Sequence, residues 1–302
     1  MAPQNIVRVV LWMSGALLLF SAMAVSVRVL AATLGVMEIL ALRAGLGLMV
    51  MAALAALRAD LRATINCRHL PLQLLRNTVH LGASYLWATS LLLIPLATAF
   101  ALEFTTPAWT LLLAAPVLGE RLTASRIGAV VFGLLGVLVI SRPGLATFQP
   151  GALLTLVAAL GLAIALIATK KLTRTDSTFA IVFWMMLIQL PLALAGSDPL
   201  FVTKLNQGQV PAVIGIGVTG LLSHYCLTNA FRAGDAGVVV PLDFMRIPLI
   251  AVIGWAFYGE RLDIFVLIGA LIIVAGVVWN LRAESTRASR VVADLPAPQL
   301  PG

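Results

Sequence analysis

Ala101-Leu102-Glu103-Phe104 returns 140 residues later as Pro241-Leu242-Asp243-Phe244, and Gly119-Glu120-Arg121-Leu122 returns in the same register as Gly259-Glu260-Arg261-Leu262. In each copy the acid stands 17 positions before the loop glutamate. Tyr85 matches Tyr225 and Gly136 matches Gly276 at the same displacement. Agreement across blocks this far apart is the mark of an internal repeat, here nearly half the chain long.

Working outward from these blocks, the sequence is a series of apolar runs bounded by charges and turn formers. They fall near 9–27, 39–57, 78–94, 96–118, 127–141, 151–169, 178–196, 209–231, 236–258 and 264–281. A helix crossing the hydrocarbon core needs about 20 predominantly apolar residues, so the hydropathy predicts ten membrane helices. The whole composition agrees, with 61% hydrophobic and 11% charged residues and a mean hydropathy of +1.04. That excludes an ordinary soluble domain, and 302 residues leave no length for one beside ten helices. The fold class expected is therefore an all-α membrane protein. Each repeat holds five helices, an odd number, so the second copy must enter the bilayer from the opposite side and the repeats are expected to be inverted. The boundaries expected are 1–144 and 145–282, followed by 283–302 as a disordered cytoplasmic tail, polar and then Pro-rich at Leu295-Pro296-Ala297-Pro298.

The net charge of +8 does not point to a nucleic acid, because the basic residues lie between apolar runs and form no single stripe. They order by topology instead. With the first residues in the cytoplasm, fourteen of the twenty Lys and Arg side chains, among them Arg76, Arg126 and Lys170, fall in inner loops. Arg28, Arg142, Lys204 and Arg261 fall outside, and Arg43 and Arg246 lie within spans. The positive-inside rule then places both termini in the cytoplasm of a multi-pass plasma-membrane protein, the bacterial inner membrane. Arg8 ahead of an apolar run and Ala22-Met23-Ala24 resemble a signal peptide, but nine further spans favour a first helix that stays in place. Cys67 and Cys226 have neither metal nor redox spacing and read as packing residues.

These features resemble the drug/metabolite transporter superfamily, and in particular its EamA-domain family of ten-helix inner-membrane permeases. The resemblance rests on the Gly-Glu-Arg-Leu loops, the Gly-rich helices after them (Gly128, Gly133 and Gly136; Gly269 and Gly276) and the Ser141-Arg142-Pro143-Gly144 exit. It implies a cavity lined by helices 1–4 and 6–9, with helices 5 and 10 peripheral. It also implies cargo drawn from amino acids, nucleotide-like metabolites, vitamins such as riboflavin, S-adenosylmethionine or drugs.

Charges retained inside a bilayer are costly and mark functional positions. Arg43, Glu103, Asp243 and Arg246 are the four here. Glu103 and Asp243 are expected to bind a cationic or hydrogen-bonding group or to exchange protons. The structural alternative is pairing, of Arg246 with Asp243 three positions earlier and of Arg43 with Glu103 across helices. Glu38 is expected to be solvated at the outer interface, and Glu120 and Arg121 to be interfacial anchors. His80, Tyr85 and Trp87 in one repeat, with His224, Tyr225 and Asn229 in the other, complete the candidate lining; the alternative for each is an ordinary interhelical hydrogen bond. Pro107, Pro241 and Pro248 interrupt the acid-bearing helices and read either as hinges or as static bends. Ser125, Ala129 and Gly133 make a small-residue stripe whose partner is another helix of the monomer or a second copy in a homodimer.

The function expected is secondary transport of a small polar or zwitterionic solute by alternating access, with the solute and the lipid bilayer as partners and no cofactor. The competing reading is a membrane-embedded enzyme acting on a lipid-linked substrate. That reading calls for clustered carboxylates or histidines at metal or phosphate spacing, and His69, His80 and His224 form no such motif.

Overall fold

The computed structural model describes residues 5–90, 93–94, 96–141, 150–249, 252 and 264–293, and every regular element among them is helical. The helices are α1 (Ile6–Leu30), α2 (Val36–Leu57), α3 (Ala59–Ala63), α4 (Leu70–Ser90), α5 (Leu96–Glu103), α6 (Thr106–Leu118), α7 (Ala124–Ser141), α8 (Pro150–Leu172), α9 (Thr178–Ala195), α10 (Val210–Ala233), α11 (Ala236–Val239) and α12 (Ile264–Ala293). Short 3-10 turns occupy Phe201–Lys204, Gln207–Gln209 and Val240–Met245. Six of the helices are long and apolar enough to cross a membrane: α1, α2, α8, α9, the segment Gln207–Ala233 and the segment Ile264–Arg287. Helix α4 has 21 residues, about 31 Å of rise, but its first half carries Gln73, Arg76, Asn77 and His80.

Local chemistry fixes the helix ends. Asn5 caps α1 by accepting the Arg8 N–H at 3.0 Å, and Ser177 caps α9 by accepting the Ala180 N–H at 3.0 Å, each satisfying a donor that the helix cannot. Gly119 ends α6 with φ 72°, the left-handed conformation that a Cβ disfavours. This is the physical reason for glycine at the head of that loop motif.

The principal packing pairs are α1 with α10, α4 with α8, α2 with α9, and α7 with α12, with α5 and α6 also against α8. Each joins the first half of the chain to the second. Exchanging the halves maps α1/α10 onto α8/α4, returns α2/α9 and α7/α12 to themselves, and sends α5/α8 to the contacts of α11 and the Val240–Met245 turn with α1. The interface therefore has the isologous pattern of a two-fold arrangement. The α7/α12 pair is closest at Gly136 and Gly269, where an added Cβ on either would lie 2.6 Å from the other's carbonyl oxygen. The small-residue stripe thus packs within the monomer, with Gly133 against the Phe244 ring.

Several sequence expectations change. The span over 96–118 is two helices separated at Phe104 and Thr105. The span over 236–258 is α11, a 3-10 turn and a further helical turn over 246–249, with most of the remainder outside the described residues. Helix α12 continues to Ala293, so the start of the expected disordered tail is helical; Glu284 is buried there, and an ion pair to Arg126 at 2.9 Å is what holds it. Residues 294–302, the Gly259-Glu260-Arg261-Leu262 block and Arg142-Pro143-Gly144 lie outside the described residues. Cys226 is half-buried, whereas Cys67 is exposed and packs nothing.

Charges cluster at both ends of the bundle. At the end where α1 begins, Asn5 N–H donates to the Ala233 carbonyl, Lys170 Nζ donates at 2.6 Å to the carbonyls of Phe231 and Gly234, and Arg174 donates to the Leu118 carbonyl at 2.7 Å. These cations cap the C-termini of α10 and α6, where the backbone leaves acceptors unsatisfied. Arg126 is buried beside Glu284, Asp235 and Glu120 at 2.9, 2.9 and 3.4 Å. Glu120 also accepts the Ala236 and Gly237 N–H groups at 2.8 and 3.0 Å, capping α11 of the other half, and burial pushes its carboxyl above the usual carboxylate range. Glu120 is thus a buried cap rather than an interfacial anchor, and Arg126 and Lys170 are buried rather than in open loops. At the opposite end Glu38 is also buried rather than solvated. It accepts the Gly35 N–H at 2.7 Å and pairs with Lys204 at 2.8 Å, which reaches Asp198 at 2.9 Å.

Candidate functional site

Both acid-bearing segments lose α-helical geometry beside the acid. Pro107 lacks the N–H that would bond the Glu103 carbonyl in a continuous helix; the Thr106 hydroxyl bonds that carbonyl instead, at 2.7 Å. Pro241 likewise lacks the N–H for the Gly237 carbonyl, which accepts from Asn280 Nδ2 at 3.1 Å. Proline removes the main-chain donor in each half and a nearby side chain replaces it. Pro107 lies in the first turn of α6, a position that suits it, Pro241 lies in the 3-10 turn, and Pro248 is half-buried in the helical turn over 246–249.

Glu103 ends α5, and Asp243 and Arg246 bracket the end of the 3-10 turn. Arg246 Nη2 lies 2.7 Å from Asp243 Oδ2 and 3.6 Å from Glu103 Oε1. One guanidinium thus bridges an acid from each half. Its carbon is 5.3 Å from the centre of the Phe104 ring, within cation–π range, and Phe104 stacks on Phe244 at 5.9 Å. Phe104 and Phe244 are repeat-related, as are Glu103 and Asp243, so the cluster lies where the halves meet. Asp243 and Arg246 keep 29% and 26% of their side chains accessible against 11% for Glu103. Arg246 Nε makes no hydrogen bond, so the triad retains one donor for another molecule, and the Trp87 side chain lies against Glu103.

A second polar line crosses the core. Arg43 Nη2 donates to Gln189 Oε1 at 2.9 Å, Gln189 Nε2 is 3.1 Å from His80 Nδ1, and the His80 ring meets His224 edge to face at 5.4 Å. Phe20 closes the other side of His224 at 5.4 Å. Arg43 therefore serves Gln189 on α9 and does not pair with Glu103, whose cation is Arg246.

The remaining candidates lie elsewhere. Tyr85 is exposed and borders a surface pocket with Gly35, Val36, Glu38 and Gly196. Tyr225 is exposed and meets the Trp12 ring at 6.2 Å. The tyrosines are repeat-related, but neither joins the acids. Asn229 accepts from Thr178 at 2.9 Å and donates to the Tyr225 carbonyl at 3.0 Å, which ties α10 to the start of α9. Sequence reasoning missed Gln189, Arg76 and Asn77. Arg76 donates to Thr169 at 2.6 Å and Asn77 at 3.0 Å within the core, not in a loop. The available signal was polar residues at helical spacing, Gln73, Arg76, Asn77 and His80, flanked by apolar ones. Among the described residues no group of three or more His, Cys, Asp or Glu is placed to hold a metal ion.

Known proteins share this fold. A crystal structure of a protein 20% identical in sequence superposes with a TM-score of 0.76, covering 94% of this chain and 98% of that one, which establishes the common fold. A riboflavin transporter from Rhizobium johnstonii is 30% identical over 206 residues, 67% of each chain. An S-adenosylmethionine uptake transporter from Rickettsia felis is 26% identical, over 68% of this chain and 69% of its own. A pseudopaline exporter from Pseudomonas aeruginosa is 28% identical, over 88% and 93%. Residues 7–142 and 149–282 each match the model of the EamA-like transporter family. With two family units covering nearly the whole chain, this protein belongs to the EamA-like transporter family, within the drug/metabolite transporter superfamily.

Proposed function

We propose that the protein moves a small polar or zwitterionic metabolite across the plasma membrane by alternating access, binding it at the Glu103, Asp243 and Arg246 cluster between two inverted halves of five membrane helices each, 1–144 and 145–282. The observation that carries the reading is the bridging guanidinium. Arg246 ties an acid of each half at 2.7 and 3.6 Å, at the positions where both halves depart from α-helix. Broken helices at a repeat interface are how transporters expose polar groups to cargo at bilayer depth. A solute able to pair with either acid or with the guanidinium would exchange one bridge for another, and so couple binding to the relation between halves.

The two-fold contact pattern supports inversion, since α1 begins at the end where α8 finishes. The basic residues of the loops support cytoplasmic termini. The relatives' cargoes, riboflavin, S-adenosylmethionine and pseudopaline, support a metabolite as cargo and span both import and export, so direction is left to measurement.

The test is uptake into proteoliposomes of a labelled panel containing riboflavin, S-adenosylmethionine, amino acids and nucleotide sugars, for wild type, Asp243→Asn and Glu103→Gln, with and without a proton gradient. We expect saturable flux of one compound, reduced at least tenfold by either substitution. Unchanged flux in both variants would refute the site, and an absence of flux for the whole panel would count against this cargo class.

A further inference from the structure

Among the described residues, Arg43 and Arg76 are the two buried arginines with no carboxylate within ion-pair distance. They are 5% and 4% exposed, and among the described residues their hydrogen-bond partners are neutral: Gln189 for Arg43; Thr169, Asn77, the Ile181 carbonyl and the Met185 sulfur for Arg76. The other buried arginine described, Arg126, is surrounded by carboxylates. Two buried donors in this region, Arg43 Nε and Asn77 Nδ2, have no acceptor. Arg43 stands seven residues into α2 from the end of the bundle that holds Glu38, and Arg76 six residues into α4 from the other end, about 10 and 9 Å along their helices, with Gln189 and His80 between them. His80, one helical turn beyond Arg76, feels the charge of both. A buried charge without a counter-charge costs several kcal/mol, and the repeat does not require these two, since the matching positions in the second half are Phe183 and Ile216.

We infer that Arg43 and Arg76 form an anion subsite, separate from the Arg246 bridge, that receives the carboxylate or phosphate group of a small solute. The subsite has donors in excess of acceptors, and an oxyanion supplies both the missing charge and the missing lone pairs. Its presence in one half only gives a bound solute a fixed orientation across an otherwise two-fold interface. The assignment rests on the transporter reading only in taking this solute to be the cargo.

The test uses the full-length protein in phosphatidylcholine nanodiscs, unfolded thermally at neutral pH in sodium acetate or sodium phosphate against sodium chloride at equal ionic strength. Wild type is expected to gain about 3 °C in either oxyanion by mass action. Arg43→Gln and Arg76→Gln are expected to lose the gain, and Arg43→Lys to retain part of it. In chloride alone both glutamine variants are expected to melt no lower than wild type, because each removes an uncompensated charge. An equal oxyanion gain in the glutamine variants, or no gain in wild type, would overturn the subsite; so would a fall of more than about 5 °C in both variants in chloride, which would make the arginines structural. None of these readouts uses flux, so they fail or succeed independently of the proteoliposome experiment.

Discussion

The strongest electrostatic knot described in this fold is testable by removing its centre. Arg126 is 4% exposed at its side chain and touches Glu284, Asp235 and Glu120, whose side chains are 4%, 21% and 2% exposed. Replacing it with Gln leaves three carboxylates with incomplete compensation. Glu120 keeps two backbone N–H donors and Glu284 keeps the half-exposed Arg287 at 3.0 Å, so the loss is partial for each. Removing one partner of a buried ion pair costs about 3–5 kcal/mol. At about 2–4 °C per kcal/mol for a chain of this size, Arg126→Gln should lower the melting temperature by about 10 °C, read from tryptophan fluorescence in nanodiscs. Adding Glu284→Gln should recover part of that loss, because it removes one buried carboxylate left with incomplete compensation. The two changes must therefore be non-additive, as expected of residues in direct contact. Arg58→Gln, which breaks the exposed pair with Asp60, serves as the control and should leave the transition in place. A fall below about 3 °C for Arg126→Gln, or strict additivity with Glu284→Gln, would show that these charges do not act as a unit.

Further outcomes follow from the backbone and the opposite end. Gly136→Ala and Gly269→Ala should each cost about 1–3 kcal/mol, since the added Cβ meets a carbonyl oxygen at 2.6 Å that no side-chain motion relieves; Gly82→Ala, with nothing within 4 Å, should be neutral or slightly stabilising in the same denaturation assay. Gly119→Ala should cost about 1–2 kcal/mol because φ is 72° there, and equal stability of the two proteins would remove the left-handed cap from the explanation of the loop motif. The Lys204 clasp has a defined pH window. The Leu200 N–H and then Lys204 hold the Asp198 carboxyl below its ordinary value, so its contribution is present above about pH 4 and lost as pH falls through the depressed folded value. Glu38 and then Asp198 hold the Lys204 ammonium above its ordinary value, so its contribution is present below about pH 10 and lost as pH rises through the raised one. The melting-temperature difference between wild type and Lys204→Met should therefore be level from pH 5 to 9 and shrink below about pH 4; a difference that varies across the plateau would refute the assignment.

The parts legible in the sequence were those carried by the repeat. Glu103 and Asp243 were found because each acid sits at a fixed distance from a Gly-Glu pair, and the Arg246–Asp243 contact because three positions is within reach of one turn. The α7 stripe was visible as small residues at four-residue spacing, although its partner on α12 was not. What failed was the location of charges near helix ends. Hydropathy places a boundary where polarity begins, so Arg76, Arg126 and Lys170 read as loop residues although each lies within its helix. Their partners, Thr169, Glu284 and the Phe231 carbonyl, are 93, 158 and 61 positions away, and no local pattern encodes that. The alternative that pairs Arg43 with Glu103 rests only on both being charged, but helix pairing decides which residues meet, and α2 packs on α9.

A large mutational cost at Arg126 does not mean that its end of the bundle is locked. Truncation removes a cation while the carboxylates stay buried, so the measured loss contains the desolvation of groups left alone. Separation of the halves at that end would instead hydrate Arg126, Glu120, Asp235 and Glu284 together, recovering the solvation that burial removed and offsetting most of the lost Coulomb attraction. The network can thus be intolerant of substitution and still separate at small net cost. The Lys204 clasp, with Lys204 39% and Asp198 45% exposed around a buried Glu38, has less solvation to regain than the Arg126 network and, as a set of pairs near the surface, contributes little net free energy. On this reasoning the net free energies holding the two ends shut are far closer than the substitutions at Arg126 and Lys204 would make them look. Near-balance between the ends is the condition under which a cargo binding between the halves, with a few kcal/mol of differential affinity, shifts the population from one shape to the other.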